Sequence, residues 1–291
     1  MGKCTFKGGI HPYDGKELSK DKPIKELFPA VGEMVFPLSQ HIGAPAVPVV
    51  AKGDYVLAGQ LIAEAGGFVS ANIHSSVSGT VKAIEPRTLA TGGKCNSIII
   101  ENDGEFKEVE YTPKKLEELS KEEVLQRIKD AGVVGMGGAG FPTNVKLSPK
   151  NPEGIDYIIV NGAECEPYLT SDYRRLLEES DKIVLGLKVA LSIFDHAKGI
   201  IGIEDNKPEA IKVMQAAVAS EPDNEVKVLK VSTTGLGDYS RSTGYPKGDV
   251  TAGWETMKLS EERGKEISID RMDNEETLGM VFGAVTGNFM R

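Results

Sequence analysis

Tyr157-Ile-Ile-Val-Asn-Gly-Ala-Glu-Cys-Glu-Pro167 is the stretch on which the fold turns. Tyr157–Val160 is a short apolar run that reads as a buried strand, and it is followed at once by an amide and two carboxylates. Downstream, a helix is expected from about Ser171, with Val184, Leu187 and Leu191 on one face. Ile200–Ile203 reads as a second buried strand. Pro208 suits the first turn of another helix, with Ile211, Met214 and Val218 inward, and Val226–Leu229 reads as a third strand. Upstream, Ser120-Lys-Glu-Glu123 is a capping box opening a helix with Val124, Leu125 and Ile128 at helical spacing, ending at Gly132. Strands alternating with helices predict a largely parallel α/β sheet with covered faces over residues 113–230.

Residues 1–112 have a different texture, with short strand-like runs such as Ala46–Val50 and Ser97–Glu101 between Gly and Pro. Gly53 and Gly59 are expected to turn the chain between strand pieces, and Val77-Ser-Gly-Thr-Val81 to form a hairpin-like turn at Gly79. The pattern resembles the barrel-sandwich hybrid of biotinyl and lipoyl carriers. Those carriers expose a modified Lys, and Phe68-Val-Ser-Ala-Asn-Ile-His-Ser75 has none, so a packing or docking module is expected. Residues 231–291 form a third region, an irregular segment rich in Gly and Thr that holds the only tryptophan, Trp254.

Composition excludes several classes. A net charge of −9 opposes non-specific nucleic-acid binding, which needs basic surface. No apolar run is long enough to span a bilayer, and the start lacks a secretory signal, so direct membrane insertion is not expected and the chain reads as cytoplasmic. Cys4, Cys95 and Cys165 lie far apart, which gives neither a disulfide framework nor a self-contained cluster site. His11, His41, His74 and His196 share no metal-ligand spacing and read as turn or packing residues.

The densest local signal is Gly135-Met-Gly-Gly-Ala-Gly-Phe-Pro-Thr-Asn-Val-Lys146. Gly135, Gly137, Gly138 and Gly140 permit positive φ and close backbone approach to a ligand, and Ala139 and Phe141 belong to the same candidate loop. Successive N–H groups in such a loop suit a phosphate, and Lys146 could add a cation. A linker or tight turn would use the same glycines. The loop lacks the Gly-Lys-Ser/Thr ending of a nucleotide P-loop, and no clear strand leads into it as a dinucleotide fingerprint requires. At the strand end, Asn161 can face a flavin ring edge, and Glu164 and Glu166 can accept from ribose or amide groups. The same carboxylates could instead simply favour the next helix N-terminus.

The glycine loop followed by the strand and Asn161-Gly-Ala-Glu-Cys-Glu-Pro167 resembles the flavin- and NADH-binding subunit of respiratory complex I. It resembles RnfC, a component of the Rnf electron-transport complex, more closely, because Phe6-Lys-Gly-Gly-Ile-His-Pro12, the Gly53/Gly59 module and Gly202-Ile-Glu-Asp-Asn-Lys-Pro208 also match. The resemblance covers residues 1–230. It implies FMN held by Gly135–Gly140 with Lys146 near the flavin, and NADH as electron donor. Asn161, Glu164 and Glu166 would line the pocket, and Glu204, Asp205 and Asn206 would form a second acidic strand end. Met136 stands where the complex I relative carries Arg. It further implies partner subunits of an ion-translocating ferredoxin:NAD oxidoreductase, through which the chain would sit peripherally at the membrane. An electron carrier of amino-acid reductases fits this stretch equally well.

Two departures set limits on the resemblance. RnfC proteins continue into a domain with ligands for 4Fe–4S clusters, which this sequence lacks, so a flavin here is expected to have no built-in exit for single electrons. Residues 231–291 resemble a fragment of a tailed-phage major capsid protein, notably around Trp254-Glu-Thr and Asp270-Arg-Met-Asp-Asn-Glu-Glu-Thr277. The alternative function is therefore a non-catalytic structural or assembly protein, or a fusion.

Overall fold

The computed structural model describes residues 13–29, 31–136, 140–164, 166–221 and 226–231, with three short strand pieces between 256 and 273. The chain divides into two compact units, residues 25–152 with 279–291, and residues 1–24 with 153–278.

The first unit holds β1 (Gly32–Pro37), β2 (Val47–Pro48), β3 (Tyr55–Val56), β4 (Leu61–Glu64), β5 (Ile73–His74), β6 (Gly79–Thr88) and β7 (Lys94–Asn102). They make two antiparallel sheets, in the orders β1-β7-β6-β3 and β2-β4-β5. Phe36, Val56, Val81, Ile98 and Ile100 from the first sheet pack on Ile62 and Ile73 from the second. The opposite face of the first sheet carries charge. Lys82 on β6 bridges Glu33 on β1 at 2.6 Å and Glu101 on β7 at 3.4 Å, and Arg87 reaches Glu33 at 3.1 Å. One apolar and one ionic face is what the two-residue side-chain period predicts. A register shift between Val81 and Ala83 interrupts the β6–β7 ladder.

This is the β-rich module expected for the front of the chain. Gly53 and Gly59 turn with φ of 97° and 80°. Gly79 is not a hairpin turn, however. It opens β6, where its backbone lies so close to the Glu101 carbonyl that a Cβ would meet that oxygen at 2.1 Å. Close strand approach, rather than chain reversal, is what requires glycine there. The expected capping box is formed at α1 (Lys121–Asp130), where Ser120 Oγ accepts from Glu123 N at 3.2 Å and Glu123 Oε2 accepts from Ser120 N at 2.9 Å. A short α2 (Thr143–Lys146) completes the unit.

In the second unit β8 (Tyr157–Gly162), β9 (Lys198–Glu204) and β10 (Val226–Val231) are parallel, in the order β10-β9-β8. Between them lie α3 (Ser171–Glu178), α4 (Ser180–Leu191) and α5 (Pro208–Ala219). Ile158, Ile159, Val160, Ile200, Ile201 and Ile203 are all buried, as strands covered on both faces should be. Three pieces follow: an antiparallel pair, β11 (Thr256–Lys258) and β12 (Glu266–Ser268), and β13 (Met272–Asp273), parallel to β8. The rest of the tail singled out in the sequence lies outside the described residues.

Two local expectations are corrected. The helix from Ser171 is two helices, because Glu179 leaves helical geometry at φ −128°, ψ 27°. Its carboxylate reaches back to Arg175 at 2.5 Å and forward to Lys182 at 3.0 Å, pinning both sides of the break. On α5, Met214 points inward as expected, but Ala210 and Ala217 share its buried stripe, while Ile211 and Val218 are only half-buried.

Candidate functional site

The register places Gly162 of β8 beside Ile203 of β9, so residues 163–166 and 204–206 leave the sheet at one carboxyl end. Parallel α/β sheets take ligands at this end. Two predicted carboxylates are brought together here by a lysine. Glu164 is 2% exposed, Glu204 5% and Lys207 7%. Lys207 Nζ lies 3.1 Å from Glu164 Oε2 and 3.3 Å from Glu204 Oε2. A second ammonium, Lys16, lies 3.1 Å from Glu164 Oε2. Two carboxylates thus meet two ammoniums, three of the four buried and Lys16 half-buried, where each charge offsets the desolvation of its neighbours.

The other carboxylate oxygen of Glu164 is also used. Its Oε1 accepts from Asp172 N at 2.9 Å and Tyr173 N at 3.4 Å, the orphan donors in the first turn of α3. Thr170, at the N-cap position, makes no side-chain cap there. Glu164 therefore receives donors on both oxygens and does what the simpler alternative foresaw, supporting a helix N-terminus. Lys207 also lies over the ring of Tyr173, 6.0 Å from its centroid, and the Tyr173 hydroxyl donates to Glu209 at 2.8 Å. Burial and that Glu209 contact both push the Tyr173 phenol above its ordinary range, burial first.

The remaining predicted residues at this end are more open. Asn161 is half-buried, and its Oδ1 accepts from Ala163 N at 3.1 Å. Glu166, Asp205 and Asn206 are exposed. Between Glu164 and α3, Tyr168 adopts the left-handed region at φ 66°, a conformation a bulky residue keeps only when its surroundings impose it.

The glycine loop belongs to the other unit. Val134 and Pro142 bridge antiparallel, Gly135 N donates to Phe141 O at 2.9 Å, and Thr143 N donates to Val133 O at 2.9 Å. The loop is thereby pinned at both ends by backbone. Gly137, Gly138 and Ala139 lie outside the described residues. Gly140, at φ 62°, packs on His41, where a Cβ would come within 3.0 Å of backbone. Gly135 shows neither constraint: its φ is not positive, and among the described residues a Cβ would find nothing nearer than 3.8 Å. Lys146 ends α2, half-buried.

His41 is a packing residue. Ala71 N donates to its Nε2 at 3.1 Å, which leaves the proton on Nδ1, facing the Ile42 carbonyl at 3.1 Å. His196 is exposed, 3.4 Å from Asp156. Among the described residues no group of three or more His, Cys, Asp or Glu side chains is placed to hold a metal ion.

Sequence reasoning missed both lysines. Lys207 was legible in principle, three residues beyond Glu204 and just before the proline that opens α5. Lys16 was not, because 148 residues separate it from its partner and nothing local marks it.

The sequence matches the RnfC barrel sandwich hybrid domain over residues 4–105 and the Nuo51 FMN-binding domain over residues 128–252. The second match continues past residue 230. The C-subunit of the proton-translocating ferredoxin:NAD(+) oxidoreductase complex of Clostridium ljungdahlii is 45% identical over 265 residues, 90% of this chain and 54% of that protein. The C-subunit of the Na(+)-translocating ferredoxin:NAD(+) oxidoreductase complex of Acetobacterium woodii is 42% identical, covering 84% of this chain and 53% of the relative. Among solved structures, an NAD+-reducing NiFe-hydrogenase in its H2-reduced state aligns with 61% of this chain and 33% of its own at 24% identity, with a TM-score of 0.39, too loose to build on. The chain spans about half the length of the curated relatives it matches. With its β-rich module, its parallel sheet and these two matches in order, the chain belongs to the RnfC family of Rnf-type complexes.

Proposed function

We propose that this chain holds FMN, accepts electrons from NADH, and serves as an electron-transfer subunit of an ion-translocating complex of the Rnf type. One observation carries the reading. Within the stretch that matches the FMN-binding domain lies a glycine loop closed at both ends by backbone hydrogen bonds, and among the described residues nothing crowds the position of a Cβ on Gly135. A glycine that no described neighbour crowds leaves the backbone open to close approach by a ligand.

Bound FMN would supply the conversion between hydride transfer and single-electron transfer. The chain's own residues bind and orient. In this reading the N–H groups of Gly135, Gly137, Gly138, Ala139 and Gly140 receive the phosphate, Phe141 closes the loop through its backbone, and Lys146 adds positive charge. Asn161 has turned its oxygen to Ala163, so its amide NH2 is the group offered to a ring edge. Glu166, Asp205 and Asn206 are the exposed acceptors for ribose hydroxyls. Glu164 and Glu204, held by internal partners, shape the strand end instead of contacting the nucleotide. Partner subunits would bring the chain to the membrane, since no described helix is long and apolar enough to cross one. They, or chain beyond this sequence, would also supply the 4Fe–4S clusters.

The test is direct. The chain, purified or reconstituted with FMN, should show the flavin absorption band, and NADH should bleach it without air. A colourless chain that gains no flavin on reconstitution sinks the reading.

A further inference from the structure

The segment Tyr13–Ile24 crosses the carboxyl end of the sheet in its own unit, and its contacts converge on one loop. Lys16 Nζ donates to Glu164 O at 2.8 Å, to Glu164 Oε2 at 3.1 Å and to Leu169 O at 2.7 Å. An ammonium has three donors, and all three are spent on the two ends of the loop Glu164–Leu169. Between those ends, Tyr168 N donates to the Asp14 carbonyl, and the Tyr168 carbonyl accepts from Ser19 Oγ at 3.4 Å. Thr170 Oγ1 donates to Ser19 Oγ at 2.8 Å. The Tyr168 ring meets Tyr13 edge-on at 6.2 Å and lies against Gly15, where a Cβ would come within 2.3 Å of it. Farther along, Arg174 donates to the Lys20 carbonyl at 3.1 Å, and Ile24 N donates to the Glu178 carboxylate.

These contacts explain why a non-glycine residue stays at φ 66°. The loop is fastened at both ends by one side chain and at its middle by two backbone groups and a ring. The loop so fixed runs directly from the acidic strand end, and Glu166 is its exposed carboxylate. Glu164 transmits the same constraint to α3 through its two backbone acceptances.

We propose that Tyr13–Ile24 is a strap that sets the conformation of the loop Glu164–Thr170, with Lys16 as its positioning residue, and that affinity for flavin mononucleotide depends on it. The ligand in this statement rests on the FMN reading above. Lys16 touches no nucleotide; it acts through Glu164 and the loop carbonyls. Methionine at this position keeps the length of the side chain and removes all three donors.

The experiment uses the full chain, as wild type and as Lys16→Met, at a temperature where both are folded. Amide hydrogen exchange over residues 166–173 is measured without flavin, and FMN affinity is measured by quenching of its fluorescence. Exchange over 166–173 should rise roughly tenfold while β9 stays protected. The FMN dissociation constant should rise by about the same factor. Unchanged exchange overturns the strap. Raised exchange with unchanged FMN affinity overturns it as a positioning device, leaving only a structural tie. If Lys16→Met loses protection everywhere, Gly15→Ala replaces it, since it keeps every charge but sets a methyl group against the Tyr168 ring; the same outcomes then decide. A wild-type chain that takes no FMN sinks the flavin reading, whereas the exchange measurement still reports on the strap alone.

Discussion

Gly135 and Gly140 bracket one loop for different reasons, and substitution separates them. Valine at Gly140 must be placed at φ 62° and against the backbone of Gln40 and His41, so Gly140→Val should lower the unfolding temperature. Gly135 faces no such crowding, so Gly135→Val should leave the unfolding temperature nearly unchanged yet abolish flavin retention, measured as flavin absorbance after gel filtration. A Gly135→Val protein that stays yellow would move the phosphate elsewhere. A second residue-scale effect concerns His74 on β5. Burial pushes its pKa below the ordinary 6.5, and Asp130 opposes this only partly. The folded state then binds a proton less readily than the unfolded chain. Stability from this group is complete above pH 6.5 and falls as pH drops toward the lowered folded value. His74→Gln should flatten that part of the profile, seen as a smaller change in urea midpoint between about pH 7.5 and 5.5.

At the scale of elements, the quartet of Lys16, Glu164, Lys207 and Glu204 joins the ends of β8 and β9 to the starts of α3 and α5. Removing Lys207 leaves Glu204 buried and uncompensated, and breaking a buried pair in this way typically costs about 3–5 kcal/mol. Lys207→Met should therefore lower the urea midpoint substantially. Adding Glu204→Gln should cost less than the sum of the two single changes, because the second removes a charge the first has stranded. The helices around this quartet show what sequence could and could not reveal. The capping box at Ser120 is written in adjacent residues and formed as read. The break at Glu179 is not, since the polar run Glu178–Lys182 would equally suit the exposed turn of one continuous helix, and only the backbone angles of Glu179 show where the helix stops.

For the molecule as a whole, the strands were legible because burial on both faces demands the unbroken apolar runs at Tyr157–Val160 and Ile200–Ile203. The β-rich module was legible from its turn glycines. The candidate site was legible only as far as residues adjacent in sequence, Asn161 to Glu166 and Glu204 to Asn206. What partners Glu164 depended on a lysine at the far end of the chain, and no periodicity carries that information. A helix cap and a nucleotide-facing carboxylate also look alike in one dimension, and only the positions of Asp172 N and Tyr173 N distinguish them.

The strap makes the second unit discontinuous, with residues 1–24 completing a structure that otherwise begins at residue 153. A ribosome makes Lys16 long before Glu164 exists, so residues 13–24 wait without Glu164 while the intervening unit is built. Closing that long loop is an entropic step that short-range helix and strand formation does not face. The parallel sheet can gather its own strands first, but the loop after β8 stays open until residues 13–24 return to it. A fragment starting at residue 25 would have the parallel strands β8–β10 and lack the piece that fastens the loop after β8, and a peptide of residues 13–24 added separately would be its natural complement.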